Sequence, residues 1–478
     1  KDERIPEVIY NVLKNYYDLL KNGTVKLFDW GKFRWFETFI SIKFIYSRTK
    51  EDWLIELARI LKEQGIDYGK LTEQWKIPLN KWDLSTHTVN ATMALKSDAL
   101  ASELLKTEFT DKTDLLYSIL EKYNGTPVGT FTGDECLSGL SPIQGTELCS
   151  VVDLMYSYEW LYAFTGDEKW AQRLELAAFN ALPAAISEDM RTHQYDQQSN
   201  QISCEIFKGK PIFRTNSGES HLFGLEPHFG CCTANFGQGW PKFALSVFMY
   251  NENTVVNAFP VPSELKTDKF VIKLKTEYPF KNYFKYTVNS DTDFNFKIRI
   301  PSFAENVRVN GEILTDKELS FEIKPCRNRV IEITYDIKPV LINRPYGLYT
   351  ARCGSLAFSL PLKYEKRMLE YTRGGVERKY PYCDYEFKLK SDWNYAFCDG
   401  GFKIIRRNLS DFPFSESDPP VILKTKLCKI DWGFEEGYDN VCKKVPKSLN
   451  PLSDPETAEL CPYGCAKLRM TEMPKAEQ

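Results

Sequence analysis

The sequence predicts a multidomain α + β protein. Stacked helix pairs, as in an α/α toroid, are expected over residues 1–248, a β-sandwich domain over 249–363, and a β-rich C-terminal accessory region over 364–478. Three observations carry this. Apolar residues recur at helical spacing through the first half, the period drops to two from about residue 250, and the tail turns rich in cysteine and aromatic residues.

In the helical half, "RWFETFISIKFIYSRTKEDWLIELARILKEQG" is apolar-periodic on both sides of a polar break at Thr49. Thr49 with Asp52 reads as a capping box, the hydroxyl accepting from the free amides of the new helix. The layout returns in "THTVNATMALKSDALASELLKTEFTDKTDLLYSILEKYNG", broken at Thr110. It returns again in "ELCSVVDLMYSYEWLYAFTGDEKWAQRLELAAFNALPAAI", broken at Thr165 and Gly166. Breaks about 55–60 residues apart describe stacked helix pairs, as in a solenoid or toroid, with a plain helical bundle as the alternative. Further on, "DFNFKIRIP" alternates, with Phe294, Phe296, Ile298 and Ile300 on one face and Asn295, Lys297 and Arg299 on the other. That is a half-buried strand. "VRVNGEIL" centres on Asn310-Gly311, the pair suited to a two-residue hairpin turn. "RVIEITYDI" and "SLAFSLPL" continue the pattern, and many short strands in succession suggest a sandwich.

Composition narrows the function classes. A net charge of −3 over 478 residues gives no electrostatic footprint for a nucleic-acid partner. No apolar run reaches the ~18–20 residues of a membrane span. Aromatic residues, at 14%, suit packed cores and stacking on sugar rings. The chain starts at Lys1, and a leader or longer front segment is expected to have been removed. Thirteen cysteines and four glycosylation sequons, at Asn22, Asn90, Asn124 and Asn408, favour a secreted or vesicular glycoprotein. A cytoplasmic protein with free thiols is the alternative.

The chemistry concentrates in three stretches. "PHFGCCTANFGQGWPKF" sets Cys231 beside Cys232, close to His228; vicinal cysteines are poor disulfide partners for each other. "GTELCSVVDLMYSYEW" offers Glu147 and Cys149 just before a long apolar-periodic helix. Residues i and i+2 of a helix point ~200° apart, so the two converge only if the backbone is still extended at the helix entrance. The loop "GTFTGDECLSGLSPIQG" carries Asp134, Glu135 and Cys136. Glu147, Cys149, Cys231 and Cys232 would make a Cys₃Glu tetrahedral zinc site, since thiolates suit zinc far better than magnesium or calcium. Buried, inert cysteines are the alternative.

"GDECLSG", "GTELC", "HQYDQQSN", "GCCTANFGQGWPKF" and "CPYGCAKLRMTEMP" resemble, in order, the β-L-arabinofuranosidase family of glycoside hydrolases, family 127 and its relatives. The similarity runs from "THTVNATMALK" to the C-terminus. It implies a toroid followed by β-sandwich domains, a carbohydrate substrate, and zinc held by Glu147, Cys149, Cys231 and Cys232. It also implies Cys231 as nucleophile, Glu135 as general acid/base, and His87, Tyr195 and His228 as substrate-binding residues. A free thiol, with a pKa of ~8.5, is mostly protonated at neutral pH, and zinc would hold it as thiolate. His193 and His221 are expected to be structural or on the surface, and Trp240 and Phe243 to pack. Asn90, beside His87, is not expected to be glycosylated. The chain departs from the family in having a short front and no matching histidines upstream of His87, so an N-terminal fragment or partner subunit is expected to complete the ring, unless the ring is reduced. The leading function is a zinc-dependent retaining glycosidase on L-arabinofuranosides or similar furanosides. The alternatives are a non-catalytic carbohydrate-binding or structural subunit that keeps the zinc, and a cysteine hydrolase pairing Cys231 with His228 or His193.

Overall fold

Helical periodicity in the first half becomes helices, and the change of period becomes sheets. The computed structural model describes residues 2–207, 212–224, 230–314 and 318–477. The first long helix, Ile5–Lys21, turns Leu13, Tyr17 and Leu20 inward. Its opposite stripe leaves Ile5, Val8 and Val12 48–62% exposed. The break at Thr49 separates helices Thr38–Thr49 and Asp52–Gln64. The capping box does not form. The Thr49 hydroxyl donates to the Ile45 carbonyl at 3.3 Å, and the second helix starts from Glu51 with no side-chain cap. A threonine in a last helical turn bonds back four residues; forward it accepts only from the Glu51 amide, at 3.5 Å, and left-handed Lys50 makes the turn. At the second break, Thr110 anchors to Asp98 through its amide and hydroxyl (3.1 and 3.0 Å). At the third, Gly166 is left-handed and Asp167 caps the next helix by accepting from the Lys169 amide.

The Leu148–Thr165 helix is buried along most of its length, as an apolar-all-round helix must be. It packs against the Thr88–Ala94 and Cys231–Leu245 helices. No helix among the described residues is long and apolar enough to cross a membrane.

After residue 247 the chain builds a four-stranded and a six-stranded sheet, then most of a ten-stranded one that also takes in Asn200–Gln201. The Phe294–Ile298 strand alternates buried and exposed residues, as its sequence requires. Asn310 and Gly311, both at positive φ, join strands Glu305–Val309 and Glu312–Ile313. The apolar faces of the first two sheets meet through Phe270 on Phe294 (4.5 Å between rings) and Tyr286 on Phe296 (5.4 Å). The ten-stranded sheet takes strands from both sides of residue 363: Leu348–Cys353 and Leu356–Pro361 pair with Glu456–Pro462, Arg469–Met470 and Met473–Pro474. Among the described residues no cysteine forms a disulfide.

Two buried polar networks lock these parts together. Arg299 does not join the solvated face with Asn295 and Lys297. It is buried, pairing with Glu168 (2.6 Å) and Glu175 (2.8 Å) of the Glu168–Leu176 helix. Tyr278 and Ser355 also donate to Glu175, at 2.6 and 2.8 Å. The second network binds "CPYGCAKLRMTEMP" to the helical half. Lys467 Nζ donates to the carbonyls of Pro183, Ala184 and Ile186 at 3.1, 3.4 and 2.5 Å. Asn200 accepts from the amides of Thr471 and Glu472 and donates back to the Glu472 carbonyl. The Tyr463 hydroxyl donates to Gln197 at 3.0 Å. The closing motif thus clamps the segment that follows Tyr195.

Of the four sequons, Asn22 and Asn408 are exposed. Asn90 and Asn124 are buried. Asn90 accepts from Arg34 at 2.9 Å, and Asn124 bonds the Trp75 carbonyl and the Gly139 amide.

Removing one partner of a buried ion pair leaves an uncompensated charge, a loss of about 3–5 kcal/mol. Arg299→Leu is expected to lower stability by that amount, read from chemical-denaturation midpoints.

Candidate active site

Two helix entrances converge to make the site. Glu147 ends a short strand and precedes the Leu148–Thr165 helix with extended dihedrals (φ −66°, ψ 132°). Its strand pairs Thr146–Glu147 with Asp196–Gln197, and the Leu148 amide donates to the Tyr195 carbonyl at 2.9 Å. Glu147 and Cys149 therefore reach the same point, as their spacing requires. Cys231 and Cys232 open the Cys231–Leu245 helix. Gly239 lets that helix lie close, since a Cβ there would stand 2.9 Å from Leu182 Cδ2 and 3.5 Å from Val152 Cγ2. One ligand atom each from Glu147, Cys149, Cys231 and Cys232 lies within 4.8 Å of all the others. The Cys149 and Cys232 sulfurs are 3.1 Å apart. Cys231 alone of the four is half-buried, and it lines a cleft together with Glu147 and Cys149.

Four acidic groups this close cannot all shed their protons unaided. Hydrogen bonds from Cys149 and Cys232 hold the Cys231 thiol down to about 2, as the anion of the set. Its partners move the other way. Cys149 is raised because its thiol donates a hydrogen bond to Cys231, while burial raises Cys232 and Glu147 well above their ordinary ranges. Both helix N-termini add partial positive charge that favours thiolates. Glu147 Oε2 is buried with no hydrogen-bond partner. An orphaned carboxylate oxygen facing three crowded sulfurs fits a soft divalent cation, and this donor set suits zinc.

Glu135 is set by backbone clasps on its loop. The Gly133 amide donates to the Gly145 carbonyl at 2.8 Å, and the Gly133 carbonyl accepts from the Glu147 amide at 3.1 Å. Asp134, buried, accepts from the Thr215 amide. Glu135 then receives three donors: the Tyr195 hydroxyl on Oε1, and Trp82 Nε1 (3.1 Å) with His87 Nε2 (3.4 Å) on Oε2. Burial pushes its pKa up, but the bonds from His87, Tyr195 and Trp82 outweigh it and hold the carboxyl below its usual range. The same Tyr195 hydroxyl lies 3.5 Å from Cys231 Sγ. His87 caps the Thr88–Ala94 helix, accepting the Asn90 amide on Nδ1 (3.4 Å), which leaves Nε2 to carry the proton towards Glu135. His87 thus both caps a helix start and lines the cleft.

These groups line a cleft of about 590 Å³, within the range of sites that hold a small molecule. The structure brings together His87, Glu135, Glu147, Cys149, Tyr195, Cys231 and Cys232; His228 lies outside the described residues. His193 spends Nε2 on Thr233 Oγ1 at 2.8 Å, and burial drives its pKa down to about 4. His221 is buried against Phe207, rings 4.5 Å apart. Trp240 donates to the Ala178 carbonyl and Phe243 is buried, so both pack. Sequence reasoning missed Trp30 and Trp82, whose rings lie 5.1 and 5.7 Å from His87 at the cleft. The only available signal was the nearness of Trp82 to His87 in "KWDLSTH".

A Cβ on Gly133 would fall 1.7 Å from Thr88 Oγ1 and 2.7 Å from Thr88 Cβ. Gly133→Ala must separate the Glu135 loop from the helix that carries His87. Overpacking of this kind costs about 1–3 kcal/mol, and thermal unfolding of the variant is expected to show a matching fall in midpoint.

No family model matches the chain, and no curated protein matches it in sequence. Solved structures do match it. A GH127 β-L-arabinofuranosidase from Geobacillus stearothermophilus T6 aligns over 98% of this chain and 76% of its own, with TM-score 0.65 and 14% identity. A second structure, a GH127 β-arabinofuranosidase, aligns over 92% of this chain and 68% of its own, with TM-score 0.55 and 15% identity. A third, described as a glycoside hydrolase, covers 92% and 75%, with TM-score 0.59 and 14% identity. At these identities the fold is what is shared: this chain folds as GH127 β-L-arabinofuranosidase structures do.

Proposed function

We propose that this chain is a zinc-dependent retaining glycoside hydrolase acting on β-L-arabinofuranosides or a similar furanoside, with Cys231 as nucleophile and Glu135 as general acid/base. One observation carries the reading: a single hydroxyl, that of Tyr195, bridges the Glu135 carboxylate and the Cys231 sulfur in one cleft. Retaining glycosidases set nucleophile and acid on either side of the scissile bond, ~5–5.5 Å apart, and a gap one hydroxyl wide is of that order. The likeness to arabinofuranosidase structures supports the substrate class. In this reading the helical half is an α/α toroid, and the four- and six-stranded sheets form a β-sandwich. The exposed Ile5, Val8 and Val12 stripe supports a covering fragment or subunit at the front. A secreted or vesicular location rests on the exposed sequons at Asn22 and Asn408.

Zinc, when bound by Glu147, Cys149, Cys231 and Cys232, would supply the positive charge that keeps all three sulfurs ionised. In the first step Cys231 Sγ attacks the anomeric carbon, the bond to the leaving oxygen breaks, and Glu135 gives that oxygen its proton. In the second, Glu135 takes a proton from water, the water attacks the same carbon, and the carbon–sulfur bond breaks to return the thiolate. In the free chain the donors on Glu135 favour its carboxylate, the form the second step uses. A bound sugar that excludes water adds burial, which favours the acid form needed first. Tyr195 keeps both reacting groups oriented, and Trp82 fixes the second carboxylate oxygen. Of the two bases open to the cysteine-hydrolase alternative, His193 faces Thr233 and His228 lies outside the described residues. A complete Glu135–Tyr195–Cys231 set speaks against a non-catalytic subunit.

Glu135→Gln removes the proton donor, so aryl furanosides with poor leaving groups should lose about 10²–10⁴ in kcat/KM. Good leaving groups should lose far less in the first step; equal, small losses on both would show that Glu135 is not the acid. Protein purified without chelator should carry about one zinc per chain by elemental analysis. Cys232→Ala should lose that metal. Cys231→Ser should keep the fold and abolish turnover, and a furanoside-derived alkylating inhibitor should label Cys231 in peptide mass mapping.

A further inference from the structure

A second cavity, of about 240 Å³, shares no lining residue with the cleft. It lies where the Lys112–Asn124 and Glu168–Leu176 helices meet the Val340–Asn343/Leu348–Cys353 hairpin of the ten-stranded sheet. Four cations line it: Lys169, Arg173, Arg344 and Arg352. Glu121 is the one carboxylate among its lining residues.

Two of the four cations are already committed. Lys169 pairs with Asp114 and Asp167 at 2.8 and 3.0 Å. Arg344 pairs with Glu472 at 3.0 Å and donates to the Gly125 carbonyl at 2.6 Å. Arg173 and Arg352 are not committed in this way. Arg173 packs on Tyr117, its Cζ 3.5 Å from the ring centre, and its Nη1 is buried without a hydrogen-bond partner. Arg352 gives Nε to the Gly354 carbonyl at 3.0 Å. Neither has an ion pair with a carboxylate among the described residues. Glu121, itself receiving the Tyr117 hydroxyl at 3.3 Å, balances at most one of the two charges.

A partly buried guanidinium without its own anion is a costly arrangement, and here Arg173 and Arg352 share one cavity with the single carboxylate of Glu121. We propose that Arg173 and Arg352 form a binding site for a small oxyanion, phosphate or carboxylate, held between the helical half and the ten-stranded sheet. The planar fork of each guanidinium matches both kinds of oxyanion. The cavity is smaller than the ~300–1,000 Å³ of sites for drug-sized ligands, and a water takes ~30 Å³. It therefore suits a phosphate, or the carboxylate end of an acidic sugar, with a few waters. Burial also pulls the Arg352 pKa below its usual value, in keeping with a missing counter-charge. Because the anion would touch residues of both the helices and the hairpin, its binding adds to the stability of their junction by mass action.

The test is titration of the intact chain with sodium phosphate and with sodium glucuronate, at fixed pH and an ionic strength held constant with chloride. Calorimetry and the thermal-unfolding midpoint are the readouts. The expected result is saturable one-site binding of at least one of the two anions, with a rise in midpoint that chloride does not give. A response to phosphate alone assigns a phosphate ligand, and a response to glucuronate alone assigns a carboxylate. Arg352→Gln should weaken binding about tenfold or more, because it removes a charge-assisted bond. Arg173→Gln should do the same, and if loss of its packing on Tyr117 prevents folding, Arg352→Gln with the wild-type titration decides. Absence of saturable binding of both anions to the wild-type chain overturns the proposal, as does an unchanged affinity in Arg352→Gln. Either result leaves the reading of the Cys231 cleft untouched.

Discussion

Three thiols and a carboxylate held within a few ångströms of one another, largely out of water, are the constraint on which the rest of the structure depends. Repulsion among four potential anions would drive them apart if the backbone allowed it. It does not, because each pair sits at the start of a long helix, and those helices are pressed together along Gly239. The helix ends supply partial positive charge, and hydrogen bonds from the neighbouring sulfurs favour the thiolate form of Cys231, which lines the cleft. Packing thus does electrostatic work: the site persists because the helices cannot separate without exposing the buried Leu148–Thr165 core.

The surrounding architecture holds this arrangement in register. Backbone bonds through Gly133 tie the Glu135 loop to the strand that ends in Glu147, so acid and cluster move as one piece. Tyr195 is carried on the strand segment paired with Glu147 and is held from behind by Asn200, Gln197 and the closing motif. The Arg299–Glu175 network performs a similar task further out, fixing a helix of the first half to strands of the second. Such buried polar contacts have strict geometry, so they specify one docking of the parts where apolar faces alone would tolerate several.

Much of this was legible in the sequence wherever it depends on short-range physics. The change of period near residue 250, the Asn310-Gly311 turn and the alternation in "DFNFKIRIP" follow from local geometry. So does the need for an extended Glu147 if it is to meet Cys149. What failed depended on tertiary context. Thr49 has the chemistry of an N-cap, but the turn placed it at the end of the preceding helix, where its hydroxyl points backwards. Arg299 has the spacing of a solvated strand residue, but the chain leaves the strand there and meets two glutamates. Trp30 and Trp82 carry no motif, and their place beside His87 comes from the way the front helices fold over the pocket. The meeting of Glu147 and Cys149 with Cys231 and Cys232 could not be obtained from spacing, since nothing local encodes contact across so long a stretch; the order of the motifs supplied it.

The clamp made by Lys467, Thr471 and Glu472 bears on when the site comes into being. A ribosome delivers the chain from the N-terminus, so the helices and the Tyr195 segment emerge long before the strands that brace them. Until residues 467–472 arrive, Pro183, Ala184 and Ile186 lack the lysine that satisfies their carbonyls, and Asn200 lacks its backbone partners. A nascent chain would therefore hold a loosely organised pocket with reactive thiols not yet in their final arrangement. Chemical competence is deferred to the end of synthesis, and a prematurely terminated chain is left with unpaired polar backbone in its interior, a state that protein quality control removes.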